Sequence, residues 1–286
     1  MKRIFLWIAV LGLAANVARA ADAPAPAITG IAHIGYYVTD MAKARAYYEG
    51  FLGFQEAFAV KDANGADHVV YVKINDHEYI VLIAEPATNH GFIHDVAFQS
   101  SDVKETRARV IAAGYAATGI APDYAGDLAF SVTDAAGFTV EVVQYQPKSL
   151  TGTTKGKFMP ATRISDHIDH VGLLTNDKEA AWEFYAKAFG FVKDGDGSKM
   201  TIVAGSNDRF EVGFEHKAGT IDRFHVKDHI CLSAPDVRKV TAALSAKGQA
   251  KDFKEIENHQ LGSGKNVAEL YDLDGNRVEM MEPPKS

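Results

Sequence analysis

Four stretches of the chain open alike: IAHIGYYVTD at 31–40, IHDVAFQSSD at 93–102, IDHVGLLTND at 168–177 and KDHICLSAPD at 227–236. Each is a strand-like apolar run that ends in an aspartate, and each aspartate precedes a helical pattern. Aligned on those acids (Asp40, Asp102, Asp177 and Asp236), the position seven residues earlier holds His33, Asp95, His170 and His229. Self-similarity at this scale decides a fold before any short motif does, and here the repeat is fourfold.

Outward from these stretches, MAKARAYYEGFLGF after Asp40 and KEAAWEFYAKAFGF after Asp177 both set aromatics at helical spacing and end in a Gly-Phe pair. Asp102 with Glu105, and Asn176 with Glu179, fit an N-cap and third-position acid that satisfy free amide hydrogens. Short alternating strands follow each helix, such as HVVYVKIN, EYIVLIAE, MTIVAG and RFEVGFE. One unit is therefore strand, helix, then about three strands (βαβββ). A lone unit would leave one sheet face bare, so units must pair. The expected fold is α+β, with four βαβββ units paired into two domains over residues 28–146 and 165–286. QPKSLTGTTKGKFMP (146–160) is rich in turn formers and falls in a linker over 147–164. The halves keep step, since His33 to His170 is 137 residues and Glu141 to Glu279 is 138.

With 286 residues, 47% of them apolar and 23% charged, the chain can bury two ordinary cores. Residues 1–20 read differently: Lys2 and Arg3, then IFLWIAVLGLAA, then Ala18-Arg19-Ala20, the three parts of an export signal. Cleavage is expected after Ala20, leaving a soluble protein in an exported, periplasmic compartment. Loss of Lys2, Arg3 and Arg19, with no acid among residues 1–20, takes the formal charge from −7 to −10. So acidic a surface disfavours nucleic acid and anionic membrane as partners; the chain is expected to be a monomer or homodimer. Cys231 is the only cysteine, so no internal disulfide forms.

Two further stretches share a shape: DAAGFTVEVV at 134–143 and DLDGNRVEMM at 272–281. Each is an acidic turn, a glycine, and an apolar strand interrupted by one carboxylate, Glu141 or Glu279. Together with the strand-opening histidines and the helix ends LGF and FGF, they make residues 28–284 resemble the vicinal oxygen chelate superfamily. That group includes glyoxalase I, extradiol ring-cleaving dioxygenases and bleomycin-resistance proteins.

The resemblance implies paired units that curl their sheets around a cavity into which metal ligands project. In the second half the matching positions are His170, His229 and Glu279, a set suited to one divalent ion, Zn, Ni, Fe or Mn. A metal also explains a glutamate in an apolar strand, where an unpaired charge is costly. Glu211, in RFEVGFE, matches the first glutamate ligand of glyoxalase I enzymes if it points inward; facing outward it is a surface acid. An inward Glu211 leaves about two positions on an octahedral ion, whereas an extradiol dioxygenase needs three. The catalytic histidine of such dioxygenases comes from about this strand, where the nearest substitute is His216. Glu279 and Glu211 are the candidate proton-moving groups, and Tyr271 a candidate donor to a bound oxygen. In the first half His33 and Glu141 match, but Asp95 replaces a histidine, Tyr79 stands near the Glu211 position and His94 falls on the opposite strand face. That half is expected to be structural. His167 is expected to face away from His170, and Phe184 and Tyr185 to be core.

The implied activity is a metal-dependent enzyme of the glyoxalase type, with isomerase or lyase chemistry on a small substrate that chelates the ion through two adjacent oxygens. The alternatives are an Fe(II) extradiol dioxygenase and a non-catalytic small-molecule binding protein. Unit pairing stays open, since a crossed arrangement would bring His33 and Tyr79 to His229 and Glu279.

Overall fold

A computed structural model describes residues 27–85, 93–175, 177–195, 199–203, 208–212, 228–254 and 256–283. The export segment and His216 lie outside them. The first unit is β1 (Ile28–Val38), α1 (Met41–Arg45), β2 (Gln55–Lys61), β3 (Asp67–Lys73) and β4 (Tyr79–Ala84). The second is β5 (Ile93–Ser100), α2 (Val103–Ala112), β6 (Ala121–Pro122), β7 (Leu128–Thr133) and β8 (Thr139–Gln144). A short helix, α3 (Leu150–Thr153), lies between the halves. The third unit is β9 (Ile168–Leu173), α4 (Lys178–Phe189), β10 (Val192–Lys193), β11 (Lys199–Thr201) and β12 (Arg209–Val212). The fourth is β13 (His229–Ser233), α5 (Val237–Ser245), β14 (Glu257–Gln260), β15 (Asn266–Tyr271) and β16 (Arg277–Met281).

The strands form two eight-stranded mixed sheets, ordered β2-β3-β4-β1-β5-β8-β7-β6 and β10-β11-β12-β9-β13-β16-β15-β14. Units one and two thus share one sheet, and units three and four the other. In each, the opening strands of the two units pair antiparallel at the centre, and each is flanked in parallel by the last strand of its own unit. The helices begin where the repeat places them, because all four aspartates are N-caps: the carboxylates of Asp40, Asp102, Asp177 and Asp236 accept from Lys43 N, Lys104 and Glu105 N, Ala180 N and Lys239 N. The cap of α4 is therefore Asp177, one residue beyond the Asn176 that the sequence suggests. The first repeat helix is also not uniform. After α1 the chain continues as a π-helical turn over Ala46–Phe51, burying Tyr47, Tyr48 and Phe51.

The halves share a core. Phe98 of β5 packs on Phe189, Phe191 and Phe210 at centroid distances of 5.8, 4.9 and 5.6 Å. Buried aromatics of this kind contribute about 1.5–3 kcal/mol each by area alone. The acidic turns quoted above tie this interface symmetrically. Tyr185 Oη on α4 donates to Asp134 Oδ2 at 2.9 Å, and Tyr48 Oη donates to Asp272 Oδ2 at 3.2 Å. Each turn therefore accepts from a helix of the opposite half. One tie has no counterpart: Tyr36 Oη, on a wholly buried side chain of β1, donates to Arg277 O at 2.7 Å and accepts from Ile230 N at 3.1 Å. The first half thereby props β13 and β16 of the second. The turn-rich segment is anchored as well, Lys73 Nζ donating to Thr154 O at 2.7 Å. Among the described residues no helix is long and apolar enough to cross a membrane.

Candidate metal centre

Strand register explains why the second-half residues meet. His170 and Gly172 lie two apart on β9 and so share a face. Gly172 is the register partner of His229 on β13 and of Glu211 on β12. A Cβ at Gly172 would lie 2.3 Å from His229 Cε1, so glycine is what lets the imidazole lean over β9. Cys231 stands opposite both His170 and Glu279, which brings Glu279 to the same face one row on. The pattern His-x-Gly recurs at 33–35, and Gly35 clears the same space for Asp95, whose Oδ1 would lie 2.0 Å from an added Cβ. This signal was available in the sequence and carries the geometry more directly than the histidines alone.

The donor atoms of His170, Glu211 and His229 all lie within 4.8 Å of one another. His170 Nε2 is 3.2 Å from Glu211 Oε2 and 3.2 Å from His229 Nε2. Glu211 thus points inward. Glu279 Oε2 is 3.9 Å from His229 Nε2 but is held by the Arg277 guanidinium at 2.7 Å, which also takes Glu269 at 2.8 Å. Tyr271 Oη donates to Glu269 Oε2 at 2.7 Å, the carboxylate that Arg277 also holds. Burial alone would raise the Glu211 carboxyl, but His170, Lys199 and His229 bring it down to about 2. Burial opposes protonation of His170, yet its contacts with Asp169 and Glu211 raise its pKa. Glu279 sits below its ordinary value because His229, His170 and Arg277 outweigh burial.

Two imidazoles and a carboxylate on rigid strands form a donor set that fits a divalent transition ion. A cation already gathers there: Lys199 Nζ lies 3.0 Å from His170 Nδ1 and 3.6 Å from Glu211 Oε2. Neither Lys199 nor Arg277 carries a sequence signal of its role. Cys231 is fully buried on β13 beside this cluster.

In the first half His33, Asp95 and Glu141 also come within 4.8 Å of one another. The residue flanking Gly35 on β4 is Val81, the counterpart of Glu211, whereas Tyr79 pairs with His33 itself and so corresponds to Arg209. His94, expected to face away, instead bonds Asp95, Nδ1 to Oδ1, at 2.8 Å. The register slips there, with Gly35 opposite Asp95 and Tyr36 opposite Ile93, so strict alternation fails. His167 does face away from His170: it meets Glu78 at 2.9 Å and Asp208 at 3.5 Å.

Solved structures with this fold include the 2,3-dioxygenase LapB from Pseudomonas sp. KL28, with a TM-score of 0.65, 15% identity, and coverage of 90% of this chain and 93% of that one. The Mn(II)-bound glyoxalase from Novosphingobium aromaticivorans gives 0.63 and 17%, covering 90% and 83%. Homoprotocatechuate 2,3-dioxygenase from Brevibacterium fuscum gives 0.62 and 18%, covering 90% and 81%. At such identities the likeness is one of fold. No curated protein matches the chain. A family profile described as Glyoxalase/Bleomycin resistance protein/Dioxygenase superfamily matches residues 30–142 and again 167–280. Those two segments build the two sheets, and the chain belongs to that superfamily.

Proposed function

We propose that this chain is a metal-dependent enzyme of the glyoxalase type, moving a proton on a small substrate that presents two adjacent oxygens. The observation that carries this reading is the inward Glu211, 3.2 Å from His170, with Glu279 standing apart from the clustered donors. His170, His229 and Glu211 would hold one divalent ion, of the Zn, Ni, Fe or Mn group. When bound, the ion supplies Lewis acidity to the substrate's chelating oxygens and acidifies the carbon-bound proton beside a carbonyl. Glu279 would take and return that proton, since His229, His170 and Arg277 together keep it ionised and Arg277 holds it in place. Lys199 would hold an anionic oxygen of the substrate. Export to the periplasm, proposed from residues 1–20, makes a cytosolic thiol an unsuitable co-substrate.

A second reading, an extradiol-type dioxygenase, is favoured by one fact. With Glu279 paired to Arg277, three clustered donors remain among the described residues, which leaves three positions on an octahedral ion. The test is to load the purified chain with each metal and to follow two signals. Deuterium uptake from solvent at the carbon beside a carbonyl, across small oxo and hydroxy compounds, is the expected result, and Glu279→Gln should abolish it while metal stays bound. Catechol-dependent oxygen consumption would retire it for the second reading, and absence of any tight metal would leave a small-molecule binding protein.

A further inference from the structure

The first half was expected to be structural, yet one face of its sheet gathers two carboxylates and two imidazoles. Asp95 Oδ2 lies 3.1 Å from His33 Nε2, Glu141 Oε1 lies 3.9 Å from the same nitrogen, and His33 is 4% exposed. The carboxylate of Glu141, on a side chain 18% exposed, accepts no hydrogen bond among the described residues. Among the described residues neither Asp95 nor Glu141 pairs with a lysine or arginine; the cations they meet are His33 and His94. In the second half Lys199 and Arg277 stand beside the corresponding donors.

An independent feature points to a ligand. Tyr71 is 3% exposed, and its hydroxyl bonds no described residue yet is not sealed from solvent, so it is free to donate. Its ring stands edge-on to His33 at 6.2 Å, and its strongest charge neighbours are Asp123, Glu141 and Asp95. Gly35 shows that the space is shaped rather than incidental, because any side chain there would meet Asp95.

We infer that the first half holds a second divalent cation, bound by His33, Asp95 and Glu141, with Tyr71 donating to a water or oxygen ligand of that ion. One imidazole and two carboxylates make a harder donor set than two imidazoles and one carboxylate, and select Mn²⁺- or Mg²⁺-like ions over soft ones. The inference is independent of the reaction assigned to the second half.

The experiment is a Mn²⁺ titration of the full chain followed by electron paramagnetic resonance, with circular dichroism as the folding check. Wild type should bind two equivalents. His229→Ala should keep one, and adding Glu141→Gln should weaken that one by more than about 10-fold. In the otherwise wild-type chain Asp95→Asn should reduce the count from two to one, and Tyr71→Phe should weaken one of the two by about 10-fold. A wild type that binds one equivalent and loses it in His229→Ala would overturn the inference. So would a folded His229→Ala that binds none, or a Mn²⁺ affinity in that background that Glu141→Gln leaves unchanged.

Discussion

The two sheets are the same frame carrying opposite charge. Across the second sheet one row of register partners runs Lys199, Glu211, Gly172, His229, Arg277 and Tyr271. In the first sheet the matching row holds Tyr71, Val81, Gly35 and Asp95. The adjacent row reads Arg209, His170, Cys231, Glu279 in one half and Tyr79, His33, Ala97, Glu141 in the other. Tyrosines thus replace Lys199 and Arg209, and Val81 replaces Glu211. The second half surrounds its donors with fixed cations suited to an anionic, oxygen-rich substrate; the first leaves its carboxylates to imidazoles alone. Duplication preserved the glycine that opens each sheet face, while the charged neighbours diverged.

The largest expected effect on this comparison comes from filling the glycine. Gly172→Ala should displace the His229 ring and lower metal affinity of the second half by at least about 10-fold while the fold survives, as overpacking typically costs about 1–3 kcal/mol. Gly35→Ala should act on the first half alone. If isothermal titration showed either alanine to be silent, the shared-frame account would lose its geometric basis.

Tyr36→Phe comes next, because it strands Ile230 N and Arg277 O in a buried place. Denaturant unfolding should show a loss of about 1–3 kcal/mol, and deuterium exchange should quicken at β13 and β16. The reciprocal position in the second half is Leu173, which has no hydroxyl to lose. Tyr48→Phe and Tyr185→Phe, by contrast, should cost similar amounts of about 0.5–1.5 kcal/mol each, since both tie an acidic turn to the opposite half. Unequal costs would show that the halves are not equivalent even at their interface.

The smallest effect concerns pH. The contact of His167 with Glu78 outweighs burial and raises its pKa to about 9. The folded value exceeds the unfolded value of about 6.5, so the contribution is fully present below that pH and fades as pH rises through about 9. The melting temperature of wild type should therefore fall more between pH 7 and 10 than that of His167→Gln. Parallel curves would remove this contact from the forces joining the halves.

Much of the frame was legible because it is written in local chemistry. The four N-cap aspartates mark the helix starts, the period-2 runs mark the strands, and 137- and 138-residue offsets mark the duplication. The convergence of His170 and His229 followed from the repeat. What the sequence could not show was set by register between distant strands. Lys199 faces Glu211 only because β11 pairs with β12, and Arg277 reaches Glu279 because both lie on one face of β16. His94 escaped because a register slip breaks the alternation on which its assignment rested. The opening aspartates of the two acidic turns looked like turn formers, whereas they also receive tyrosines from the opposite half.

The central claim is that Glu211, rather than Glu279, completes the second-half donor set and leaves Glu279 to move the proton. Metal retained after exhaustive dialysis, counted in Glu211→Ala and Glu279→Gln beside wild type, tests it most directly. The account predicts that Glu211→Ala loses the second-half equivalent and that Glu279→Gln keeps it while turnover falls by orders of magnitude. Metal lost from Glu279→Gln and kept by Glu211→Ala would contradict it.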